Sequence, residues 1–181
     1  MLADIIRFFL KYNMKIKYFY IILFLTISLV VKSQETKVRL KNQAQEMSEA
    51  AITGNYNLVL KYTYPKFVEQ FGGENELLKV IIEGMENLKS EGTKIESVEI
   101  GEVEKVFEAG KELHSLLSEK IILNTKKGRF LVNSYLLAVS IDNGQNWFFI
   151  DCNIGKELIT SFFPNFNNNL IIPEKTKPIK I

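Results

Sequence analysis

The hydrophobic pattern changes period once, at Gly92, and this limits the fold more than any other feature of the chain. Before Gly92, apolar residues recur at helical spacing. In "ETKVRLKNQAQEMSEAAIT" the residues Val38, Leu40, Ala44, Met47, Ala51 and Ile52 fall along one side, and Gly54 is a natural stop. "NYNLVLKYTYPKFVEQFGG" is too rich in Leu, Tyr and Phe for a solvated loop. It predicts two short helical turns broken at Pro65 and closed by Gly72-Gly73. A third helix is predicted over Glu74 to Lys89, with Leu77, Leu78, Val80, Ile81, Met85 and Leu88 on its apolar side. Glu74 and Glu76 stand in its first turn, where the helix dipole favours negative charge.

After Gly92 the apolar residues alternate. "TKIESVEIGEVEKVFEAG" switches parity between Ile100 and Val103, which predicts a bulge at Gly101. "ELHSLLSEKIILNT" is a second strand, turned at Lys127-Gly128 into "RFLVNSYLLAVSI". The latter is apolar on both parities, so it is expected at the centre of the sheet with both faces covered. Asn143-Gly144 is a strong hairpin signal, and it leads into "QNWFFIDC". Helices followed by an antiparallel meander make an α+β plan. A short helix near Lys156 to Phe162 and an extended tail over 164–181, expected to wrap the surface and fray, complete the chain.

The first 33 residues read as an export leader. Lys15 and Lys17 after Met14 form a basic start, and Met14 is itself a candidate initiator. The apolar run "YFYIILFLTISLVV" follows; it is 14 residues long, whereas a spanning helix needs about 20. Val31 and Ser33 suit a cut before Gln34, leaving a domain over 34–163 and the tail. The destination expected is the periplasm or exterior of a Gram-negative bacterium, with membrane contact only during export. The leader carries +4 (Arg7, Lys11, Lys15, Lys17 and Lys32 against Asp4), so of the formal +2 the rest of the chain holds −2. A mildly acidic domain without a basic stripe argues against nucleic acid as a partner. Cys152 is alone, as is His114, so neither a disulfide nor a metal site is expected, and Cys152 reads as a buried apolar residue.

Ser140, Asp142, Gly144 and Trp147 in "SIDNGQNWFF" fall at the S-x-D-x-G-x-x-W spacing of the hairpin motif found on propeller blades. A propeller needs several four-stranded blades, and one copy in a domain of this length cannot supply them. The motif is therefore read as a structural turn, with Asp142 bonding the turn backbone and Trp147 in the core.

The stretches "EMSEAAITGNYNLVLKYTYPKFVEQFGG" and "FLVNSYLLAVSIDNGQNWFFID", with the element order around them, resemble the nuclear transport factor 2-like superfamily. The S-x-D-x-G-x-x-W-x-F ending also resembles small exported bacterial proteins. The resemblance implies three helices packed on a curved, four-stranded, cone-like sheet over roughly residues 35–153. It also implies that the open end of the cone accepts a small apolar ligand and that the convex sheet can pair with a copy of itself. Enzymes of the superfamily use a carboxylate or a His–Asp pair with a Tyr or acid donor; here that points to His114 or Asp151 as base, with Tyr62 or Tyr64 as donor. The aromatic residues Tyr62, Tyr64, Tyr135 and Trp147 are the candidates to line a ligand pocket. So few acid–base residues favour a non-catalytic domain that binds a small apolar ligand or a protein partner, without a cofactor, over a lyase or isomerase acting on a hydrophobic small molecule.

Overall fold

The computed structural model describes residues 33–181; the expected leader lies outside the described residues except for Ser33. Residues 37–181 form one compact unit. Helix α1 covers 33–53 and ends at Gly54, whose φ of +81° is the left-handed geometry that stops a helix. Helices α2 (Tyr56–Tyr62) and α3 (Pro65–Gln70) follow, separated where Pro65 removes a backbone donor, then α4 (Glu74–Ser90). Asn55 caps α2 by accepting from the Leu58 amide.

The strands are β1 (Lys94–Ile100), β2 (Val106–Ala109), β3 (Glu112–Thr125), β4 (Gly128–Ser140) and β5 (Phe148–Asp151). A 3-10 turn (Cys152–Ile154), α5 (Lys156–Ser161) and a short β6 (Ile179–Lys180) complete the described chain. The sheet is antiparallel and runs β1-β3-β4-β5, with β2 also on β3 and β6 also on β4. It therefore has six strands rather than the four-strand meander expected. The predicted bulge at Gly101 is absent. The chain leaves the sheet at Ile100 and re-enters at Val106, so two strands stand where one was read, and the register irregularity lies between Ile95 and Ser97. A Cβ on Gly101 would come 2.1 Å from Ser118 Oγ, so that glycine serves a close approach.

Both faces of the central strands are covered, as the double-parity pattern of β4 requires. On one face Leu40 and Ala44 of α1 pack against Ile100, Leu117, Leu136, Ala138, Trp147 and Phe149. On the other, Leu137, Val139 and Ile150 pack against Ile159, Phe163, Leu170 and Ile172 from the C-terminal segment. That segment does not fray as its Asn and Pro content suggested. It buries Leu170 and Ile172 on the sheet, and its end pairs with Phe130 and Leu131.

Candidate functional site

Register fixes which side chains meet on the helix-covered face. Leu117 lies opposite Leu136, Glu119 opposite Ser134, and Leu136 opposite Asp151. The small Ser134 leaves room between two carboxylates on its flanking strands. Its hydroxyl donates to Asp151 Oδ1 (3.4 Å) and accepts from Asn153 Nδ2 (2.8 Å). Asp151 Oδ1 also accepts from the Asn153 amide (2.8 Å), which caps the turn after β5 and fixes the carboxylate. Glu119 is 7 % exposed, and Ser48 Oγ of α1 donates to its Oε1 at 3.4 Å. Burial pushes the Glu119 carboxyl up to about 7, and the charge of Asp151 adds to this, against the Ser48 bond. This enclosed carboxyl, raised beside Asp151, is the inner face's distinctive chemical group.

Beside this pair opens an apolar cleft of about 300 Å³. Met47 of α1, Val59 of α2, Phe67 of α3 and Leu77 and Ile81 of α4 form its helical walls, and Leu136 and Phe149 form its floor. Asp151 is the one charged residue in its lining. Larger grooves of about 570 and 580 Å³ carry solvated polar walls (Asn57, Lys61 and Glu69 in one; Lys89, Lys94 and Glu96 in the other).

The four aromatic candidates do not line a common pocket. Tyr62 lies on the helix-covered side, 6.2 Å from the Phe149 ring, and its hydroxyl donates to Glu46 of α1 at 2.5 Å. Burial and then Glu46 raise that phenol to about 12. Trp147 is 1 % exposed within the α1 core, and its amide donates to Gln43 Oε1. Tyr64 and Tyr135 belong to the opposite face, Tyr64 buried and Tyr135 half-buried.

Of the acid–base candidates, Asp151 is exposed at the end of β5. His114 is enclosed. It sits in β3 between β2 and β4, fully buried, on the face away from the cleft. Its Nε2 lies 3.0 Å from Glu112 Oε2, and Glu112 Oε1 accepts from the Tyr64 hydroxyl at 3.0 Å. Burial holds His114 below the ordinary histidine range despite the opposing pull of Glu112, and burial with the Glu112 charge raises Tyr64. Cys152 is buried, and burial, then Asp151, push its thiol up to about 12, which removes it as a nucleophile near neutrality.

The motif around Asp142 is built as a turn. Asp142 Oδ1 accepts from the amides of Gln145 (3.1 Å) and Asn146 (2.9 Å), Oδ2 accepts from Asn146 Nδ2 (2.7 Å), and Ser140 Oγ donates to Oδ1 and accepts from the Gly144 amide. Partial burial by itself raises the Asp142 carboxyl, but the bonds from Asn146, Ser140 and Gln145 outweigh it and hold it below its usual range. Asn143 and Gly144 both have positive φ (59° and 85°), as the dipeptide predicts. The connection is longer than a two-residue hairpin, because the pairing closes at Val139 and Phe148.

Glu119 and Glu112 were missed from the sequence. Glu119 stands at the apolar parity of β3, between Leu117 and Ile121, and that signal was legible; nothing in the sequence pairs Glu112 with Tyr64. Among the described residues, no group of three or more His, Cys, Asp or Glu could hold a metal ion. No protein-family model, curated protein or solved structure matches the chain.

Proposed function

We propose that this chain is an exported domain of the nuclear transport factor 2-like type that binds a small apolar ligand in the cleft between α1, α2, α3, α4 and the sheet. The observation that carries the reading is the cleft's lining: apolar side chains from four helices and the sheet floor, with Asp151 as the single charged group at its edge. Its volume of about 300 Å³ is at the small end of ligand sites, which run roughly 300–1,000 Å³. Apolar walls give such a site affinity, and one fixed carboxylate orients a hydroxyl or amine on the ligand. The test is Ile81→Trp, which fills the cleft from its half-exposed α4 wall. Binding of a neutral apolar dye such as Nile red should be lost while the melting temperature holds; binding equal to that of the parent protein refutes the reading.

A second reading, proton transfer on the bound molecule by a lyase or isomerase, is favoured by one observation: Glu119, held near pH 7, adjoins Asp151. The roles would be Asp151 as base and Glu119 as acid, with His114 excluded by its place on the opposite face. Asp151→Asn separates the readings, because a binding domain keeps apolar ligands and an enzyme loses turnover.

A further inference from the structure

His114 carries an uncommon combination. It is fully buried, one ring nitrogen is engaged, and the other, Nδ1, has no hydrogen-bond partner. Buried polar atoms are almost always paired, so an orphan calls for an explanation. The His114 ring packs edge-on against Phe163 (centroids 4.7 Å apart, 70° between planes) and lies 5.8 Å from Phe166. Phe163 also stacks on Tyr64 at 5.0 Å. These two phenylalanines begin the C-terminal strap, which runs over the sheet through buried Leu170 and Ile172 to β6. Farther along, the strap is tied by Asn167 Nδ2 donating to the Glu108 carbonyl and Thr176 Oγ1 donating to the Asn133 carbonyl.

We infer that His114 is a proton-operated latch for the C-terminal strap: taking up a proton at Nδ1 loosens residues 162–173 from the sheet while the sheet itself stays folded. With Nε2–H donating to Glu112, the neutral ring leaves Nδ1 as a bare acceptor among aromatic rings. A proton there creates a charged donor with no acceptor, in a site shielded from water. The surroundings decide the sign. Glu112, on the same strand, favours the cation, and Tyr64, from the segment between α2 and α3, bonds Glu112 and brings no charge. Lys66 Nζ lies 5.9 Å from the centroid of the Tyr64 ring. Phe107 of β2 and Val139 of β4, the cross-strand neighbours, and Phe163 and Phe166 of the strap are uncharged. Burial prevails over Glu112 and holds the histidine low. A histidine lowered by the closed strap gives stability that is complete above its open-state value and is lost as pH falls through that value.

His114 is the chain's single histidine, so imidazole NMR reads it without overlap. Hydrogen exchange of the strap amides, corrected for intrinsic rates, is measured at pH 7.5 and pH 5. Protection over 162–173 should fall by up to roughly thirty-fold, the limit for an open-state pKa near 6.5, with β3 and β4 unchanged. His114→Phe should remove that pH dependence. Strap protection that is flat in the parent protein, or equally pH-dependent in His114→Phe, overturns the latch. Should that variant fail to fold, the parent's imidazole decides: titration below the ordinary value together with strap loosening supports the latch, and ordinary titration with a protected strap refutes it.

Discussion

Replacing Glu119 by Gln tests the chemistry of the inner face directly. Glu119 is almost fully enclosed between α1, β3 and β4, with one weak donor and a carboxylate neighbour. Its carboxyl moves from 4.5 to about 7, worth roughly 3 kcal/mol at about 1.4 kcal/mol for each tenfold change in proton affinity. The folded chain holds this proton more tightly than the unfolded chain. The group's contribution is therefore complete below about pH 4.5 and is lost as pH rises through about 7. Glutamine has nearly the same shape, can accept from Ser48 and cannot ionise. Urea unfolding of both proteins at pH 5 and pH 8 gives the comparison, and the difference between them cancels His114 and the exposed groups. Glu119→Gln should gain about 2.5 kcal/mol on the parent between pH 5 and pH 8, since a part is already lost at pH 5. A difference that stays constant to within about 0.5 kcal/mol would show Glu119 ionised throughout, and the account of the pair would fail.

Trp147→Ala should cost about 3–5 kcal/mol as a core truncation, and a neutral melt would show the ring exposed. Asp142→Ala should cost about 2 kcal/mol, because a charged acceptor serving several turn donors is lost; an unchanged melt with lost binding would instead make Asp142 a ligand contact. Iodoacetamide should leave Cys152 unmodified in the folded protein at pH 8 and label it in urea, whereas rapid native labelling refutes its burial. For the proposed export, mass spectrometry of the secreted or periplasmic protein should place the N-terminus at or near Gln34; a soluble cytoplasmic protein with its leader intact would contradict it.

Periodicity carried most of the architecture, because Leu40 and Ala44 or Leu117 and Leu136 are selected by what their element must bury. It failed where identity and position disagree. Glu119 went unread among the chain's many glutamates, although its parity places it with Leu117. Many of those glutamates are indeed at the surface: Glu96 pairs with Arg129 and Glu102 with Lys41. Tyr62 and Tyr64, two residues apart, reach opposite faces because α2 ends between them and Thr63 bridges to Phe149 in extended form. No single period spans such a junction. The tail misled through composition, since Asn and Pro suggest solvent while Leu170 and Ile172 cover a sheet face whose need for cover is visible only in three dimensions.

The central claim, that the cleft on the helix-covered face is a ligand site, is tested most directly by methyl NMR during titration with a neutral alkyl alcohol such as decanol. The account predicts saturable shifts confined to Met47, Leu77, Ile81 and Leu136, with Leu137, Val139 and Leu170 on the opposite face unmoved. Shifts centred on the opposite face, or none anywhere at saturating alcohol, would contradict it.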